Sequence, residues 1–175
     1  MGSNNTILTI GAFVILTTIL QNFYRLLGTT GDDIGDAQDM ILATTIATSY
    51  LEIAQGLSFD AVTDTSHVGL TNVSALTTPS LLGPEGTTED SIQAFDDFDD
   101  FNGFTVEKEA TGSNHRFMTR FRVSYVNPAN VNQTVSTRTF VKRIDVKIWR
   151  TYPPVEGVNM DTLNLSLVQG YFHFD

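Results

Sequence analysis

The first stretch of the chain, Thr6–Leu27, reads TILTIGAFVILTTILQNFYRLL and constrains the fold more than any other. It carries no charge between Thr6 and Leu20, and its first charged side chain is Arg25. A helix that is apolar on every side has no face to leave in water, so it must be covered all round. A bilayer, a large core or copies of the same chain can supply that cover. The side chains expected to pack in this way are Ile7, Leu8, Ile10, Phe13, Val14, Ile15, Leu16, Ile19, Leu20, Phe23, Tyr24 and Leu27. A bilayer core needs roughly 20 apolar residues in a helix. The run reaches that length only by taking in Gln21, Asn22 and Arg25 at one end, from where polar groups can snorkel to the interface. Met1–Asn5 has no Lys or Arg, so the run reads as a retained segment rather than a removed secretory signal. The expectation is a membrane anchor that becomes the packed core of a filament. The alternative is a central core helix of a globular domain.

Gly28-Thr29-Thr30-Gly31 follows, and four poor helix formers in a row predict a helix break at Gly28 and Gly31. Asp32 or Asp33 would then cap a second helix, Ile34–Leu57. In it Ile34, Ala37, Ile41, Thr44, Thr48 and Leu51 recur at helical spacing, beside Met40, Ala43, Ala47, Tyr50 and Ala54. Gly56 is the expected stop. Ser58–Glu89 is rich in Thr, Ser, Gly and Asp and reads as a long surface loop with one short strand at most. From Gly103 the period becomes two. Phe104–Ala110, His115–Val126, Thr137–Arg150 and Asn164–Phe172 are expected strands, with turns at Asn127–Asn130 and at Tyr152-Pro153-Pro154. Phe117, Thr119, Phe121, Val123 and Tyr125 form one apolar row. Phe140, Ile144, Val146 and Ile148 form another, with Lys142, Asp145 and Lys147 assigned to the wet face. The fold class is therefore α+β, a long N-terminal helix packed on a C-terminal antiparallel sheet. It divides into an apolar helix (1–28), an amphipathic helix (29–57), a variable loop region (58–102) and a sheet (103–175).

This layout resembles the type IV pilins and pseudopilins, and three stretches carry the resemblance. Ala43–Val62, ATTIATSYLEIAQGLSFDAV, is similar to the helix end of MSHA-type minor pilins. Phe95–Phe104, FDDFDDFNGF, resembles their Asp-Asp-x-Asp-Asp-Tyr-Asn-Gly segment, and Lys142–Trp149, KRIDVKIW, their penultimate strand. Met1–Asn5 holds none of the basic residues of that family's leader, and no acid stands between Met1 and Asp32 where that family has a glutamate early in the apolar run. The resemblance implies a structural subunit of a homo-polymeric, head-to-tail helical filament on the bacterial cell surface. Such a subunit is anchored in the inner membrane before assembly and handled by the pilus assembly machinery. The alternatives are a minor or tip subunit that primes assembly, and a membrane-tethered binding module.

The formal charge of −10 argues against a nucleic-acid partner, because phosphate binding needs a basic surface. There is no Cys, so no disulfide framework exists. The three histidines, His67, His115 and His173, are scattered. With no nucleophile–base pair or phosphate loop in view, no enzymatic role is expected. The one dense oxygen cluster is Asp96, Asp97, Asp99 and Asp100, of the kind calcium uses. The spacing is not that of an EF-hand, and the reading adopted is a solvated acidic turn pinned by Phe95, Phe98 and Phe101. Calcium is the alternative, and no other cofactor is expected.

Overall fold

The computed structural model of the chain describes residues 3–65, 69–86, 89–154 and 162–172. Its contacts divide it into two compact units, Met1–Ile41 and Leu42–Asp175.

One helix, α1 (Ser3–Gly56), contributes to both units. It runs unbroken through Gly28–Gly31, which corrects the expected break and removes any separate cap at Asp32 or Asp33. The cost of glycine in a helix is only about 1 kcal/mol each, too little to open a long ladder of backbone bonds. Neither glycine has a positive φ; among the described residues that conformation falls at Gly83, Gly103 and Gly112. The threonines do not compete with the helix either. Thr29 Oγ1 donates to Leu26 O at 3.0 Å and Thr30 Oγ1 to Leu26 O at 2.8 Å, inside the helix. The stop at Gly56 is where the sequence places it.

In the second unit the final turns of α1 bury Ala43, Ile46, Ala47, Tyr50 and Ala54. The buried stripe is therefore the small-residue row. Ile34 and Ile41, the residues that head the other row, are exposed. The stripe packs into one core with Phe95, Phe98, Phe101, Phe117, Phe121, Val123, Ile144, Val146 and Ile148. Edge-to-face ring pairs join Tyr50 to Phe121 at 5.5 Å and Phe101 to Phe121 at 5.2 Å.

Among the described residues the sheet has five strands, β1 (Thr105–Glu109), β2 (Arg116–Asn127), β3 (Asn130–Thr134), β4 (Val141–Tyr152) and β5 (Thr162–Gly170). All pairings are antiparallel, in the order β1-β2-β4-β5, with β3 hairpinned back onto β2. Strand β3 has no apolar alternation to announce it and is fully exposed. Opposite β2, β4 sets Val146 against Phe121, Ile144 against Val123 and Lys142 against Tyr125. Lys142 therefore belongs to the apolar row, contrary to its assignment to the wet face, whereas Lys147 is exposed as expected.

The stretch from Ser58 is not only surface loop. It holds a short helix, α2 (Ala61–Thr65), that the sequence reading did not expect. A second cluster also forms, in which Phe59 and Leu76 are buried with Tyr125 against Leu70, Val73, Leu82, Phe140 and Tyr171.

A Cβ at Gly28 or Gly31 would meet nothing within 4 Å. Gly28→Ala and Gly31→Ala should each stabilise the helix by about 0.5–1 kcal/mol. Far-UV circular dichroism of the detergent-solubilised chain on heating is the check, with the wild type losing helix first.

Candidate functional site

Two surfaces hold chemistry that the fold alone does not explain. The first is the apolar run of α1. By length and composition this helix could cross a membrane, and its apolar window is not buried within the described structure. Every packing residue expected from Ile7 to Leu27 is exposed, from 45 % at Leu20 to 72 % at Leu8. The run also settles its own polar groups. Thr17 Oγ1 and Thr18 Oγ1 each donate, at 2.8 Å, to the carbonyls of Phe13 and Val14. With those hydroxyls satisfied internally, the helix can enter an apolar environment without leaving donors unpaired there.

The second surface is a polar knot inside the second unit. Lys142 is 0 % exposed, and so are Asp60, Asp97, Asp99 and Asp100. The Lys142 ammonium donates to Phe59 O at 2.7 Å, to Asp60 Oδ2 at 2.9 Å and to Asp99 Oδ1. All three of its donors are used, and it lies 4.7 Å from the Phe59 ring centre and 5.5 Å from that of Tyr125. Asp60 also accepts from Thr77 N at 3.0 Å and Thr77 Oγ1 at 3.2 Å. Tyr125 OH donates to Thr77 O at 2.7 Å. Its phenol is pushed up first by burial and then by the charge of Asp60, so it stays a donor.

Asp97, Asp99 and Asp100 arrive on a 3₁₀ turn, Phe98–Phe101, capped by Asp97. Asp97 Oδ1 accepts from Asp99 N at 2.7 Å, and Asp100 Oδ2 accepts from Asp97 N at 3.1 Å and Asp96 N at 2.9 Å. Phe95, Phe98 and Phe101 do pin the segment to the core, as expected, and in doing so they draw the acids between them inside. The solvated turn is thereby corrected. Of the four aspartates only Asp96 is exposed.

A loop closes over this turn. Asn102 Nδ2 donates to Leu82 O at 2.9 Å while its Oδ1 accepts from Val123 N at 2.9 Å, tying the loop to β2. Gly83 sits at φ +130°, and a Cβ there would come 3.4 Å from Asn102 O. The chain can therefore lie close and deliver Glu85 and Glu89. Burial, then Asp99 and Asp100, push the Glu85 carboxyl up to about 7. Burial, then Asp99, push Asp97 up to about 8 against the pull of Lys142. Burial raises Asp99 too, and outweighs Lys142.

Comparison with known protein families, characterised proteins and solved structures finds no match to this chain.

The structure draws together segments that the sequence reading kept apart. Asp60, the Asp97–Asp100 turn and Lys142 come one from each of the three stretches that carry the pilin resemblance. The reading missed Lys142, Asp60, Tyr125, Thr77, Glu85 and Glu89. One signal was available, because Lys142 is in phase with Ile144, Val146 and Ile148. Nothing local marks Asp60 or Glu85. His115 lies just before β2, while His67 and His173 fall outside the described residues.

Removing the ammonium leaves Asp60 and Asp99 buried without their cation. Lys142→Met should cost about 3–5 kcal/mol in chemical denaturation. Adding Asp60→Asn and Asp99→Asn should return part of that loss. The raised carboxyls set a pH dependence. Glu85 and Asp97 bind protons in the folded chain up to about pH 7 and 8, but in the unfolded chain only near their ordinary 4.5 and 3.8. Their contribution is complete below those ordinary values and is lost as pH rises through 7 and 8. In chelator-containing buffer the melting temperature should fall between pH 5 and pH 9; a rise over that window would contradict the assignment.

Proposed function

We propose that the chain is the subunit of an extracellular, type IV pilus-like helical filament on a bacterial surface, polymerising through the apolar run of α1. The observation that carries this reading is the exposure of that whole run, Ile7 to Leu27, on every side of one continuous helix. Water is a poor solvent for such a surface, and apolar patches of this extent mark sites of association. Covering about 15 apolar side chains at roughly 1.5–3 kcal/mol each offers a large gross driving force, before the entropy of association is subtracted. A head-to-tail contact that does not close on itself produces an open helix of subunits.

Before assembly the same segment sits in the inner membrane, with Arg25 toward the interface. The internally bonded threonines suit both settings. With no carboxylate ahead of Asp32, registration along the filament rests on the fit of apolar side chains rather than on a buried charge pair. A minor or tip subunit would use the same contacts at a lower copy number. A membrane-tethered binding module would use the same helix without polymerising.

The test is detergent removal from the purified full-length chain, followed by negative-stain electron microscopy and sedimentation. Wild type should form fibres of regular diameter. Phe13→Asp or Ile15→Asp, each placing a charge within the apolar run, should abolish fibres while the unfolding transition of residues 42–175 stays in place. A monodisperse, detergent-free monomer of the wild type would refute the filament. Vesicle-bound monomers would instead favour the tethered module.

A further inference from the structure

We propose that Glu85, Glu89, Asp97, Asp99 and Asp100 form a binding site for a hard divalent cation of the calcium class. The argument is independent of the filament reading. Among the described residues, Glu85, Asp97 and Asp99 each offer a carboxylate oxygen within 4.8 Å of the others, and so do Glu85, Glu89 and Asp100. Oxygens held at about 2.4 Å from one ion can lie no more than about 4.8 Å apart, so each group is compact enough to share an ion. The two groups have Glu85 in common, so they adjoin at that residue.

Proximity of acids alone would not point to a ligand. The second observation is that three of these acids keep an oxygen with nothing to bind. Asp97 Oδ2, Asp99 Oδ2 and Asp100 Oδ1 are buried and accept no hydrogen bond, although each residue's other oxygen is fully engaged. Buried carboxylate oxygens are costly when unsatisfied. Lys142 cannot serve them, because its three donors go to Phe59, Asp60 and Asp99. A proton shared between Asp97 and Asp99 would settle those two and leave Asp100 unpaired beside Glu85. A divalent ion settles all three and offsets the excess of negative charge.

The donors name the class of ion. All are carboxylates, with no His or Cys among them, which excludes the preferences of zinc and copper. Several carboxylates on a turn and a loop suit the flexible shell of calcium better than the strict octahedron of magnesium. Glu85 is exposed, so an ion has a way in. Once bound, it would fasten Glu85 and Glu89 to the Phe98–Phe101 turn. Asp96, although part of the acidic run, is not a ligand in this site.

The experiment uses the full-length chain in detergent, stripped with EDTA and titrated with calcium chloride and then magnesium chloride. Calorimetry and thermal unfolding are the readouts. Calcium should bind at one equivalent and raise Tm by several degrees, with magnesium about tenfold weaker or more. Glu85→Gln lies on the exposed loop and should fold normally while weakening calcium by about tenfold or more. Asp97→Asn should abolish the calcium-dependent rise in Tm. A wild type that shows neither heat nor a Tm shift at millimolar calcium would overturn the proposal, as would Glu85→Gln binding calcium as tightly as wild type. Asp97→Asn that keeps the full calcium-dependent rise in Tm would also overturn it.

Discussion

An ammonium taken out of water must be met by carboxylates within reach or it will not stay inside, and the second unit is arranged around that requirement. Lys142 enters the core from β4 where an aliphatic side chain would be expected, and the chain answers with Asp60 from the loop after α1 and Asp99 from the 3₁₀ turn. Asp60 is also held by Thr77, and the backbone of Asp99 is held by Asp97 Oδ1 at the cap of the turn. A paired buried charge adds little net stability compared with an apolar replacement, but it penalises any arrangement that separates the partners. Its effect here is on specificity. It selects one way of laying two irregular segments against the sheet.

Those irregular segments are where sequence reasoning fails. The strands β1, β2, β4 and β5 are legible because alternation records which face is wet, and the end of α1 is legible because Gly56 stops it. Strand β3 is not, since a hairpin strand exposed throughout has no reason to alternate. The aspartates of FDDFDDFNGF illustrate a different failure. Composition says that four acids in five residues prefer water. The three phenylalanines spaced among them say otherwise, because rings that enter a core carry their neighbours in with them. Deciding between the two needs the identity of the partner that compensates the acids, and that partner is Lys142, some 40 residues away in sequence. The glycines at 28 and 31 failed for a simpler reason. A propensity of about 1 kcal/mol per residue is a bias and not a barrier.

The apolar run of α1 poses the opposite problem. Its extent could be read directly, because a stretch without charge needs no partner to identify it. What covers it could not be read, since lipid and sister helices offer nearly the same solvent. The threonine hydroxyls that bond back to Phe13 and Val14 make the run indifferent between those two environments. That indifference suits the passage from bilayer to polymer proposed for this segment.

Asn102 is followed by Gly103, the pair most prone to spontaneous deamidation through attack of the glycine nitrogen on the asparagine amide. In the folded chain both ends of that amide are held, by Leu82 O and Val123 N, and the Gly103 N–H is occupied by Phe121 O at 3.2 Å. Ring closure is therefore obstructed only while the fold persists. Each excursion to the unfolded state exposes the pair to an irreversible change that would trade the donor to Leu82 for a further negative charge beside the acidic turn. The chemical ageing of the protein becomes a running record of how long it has spent unfolded.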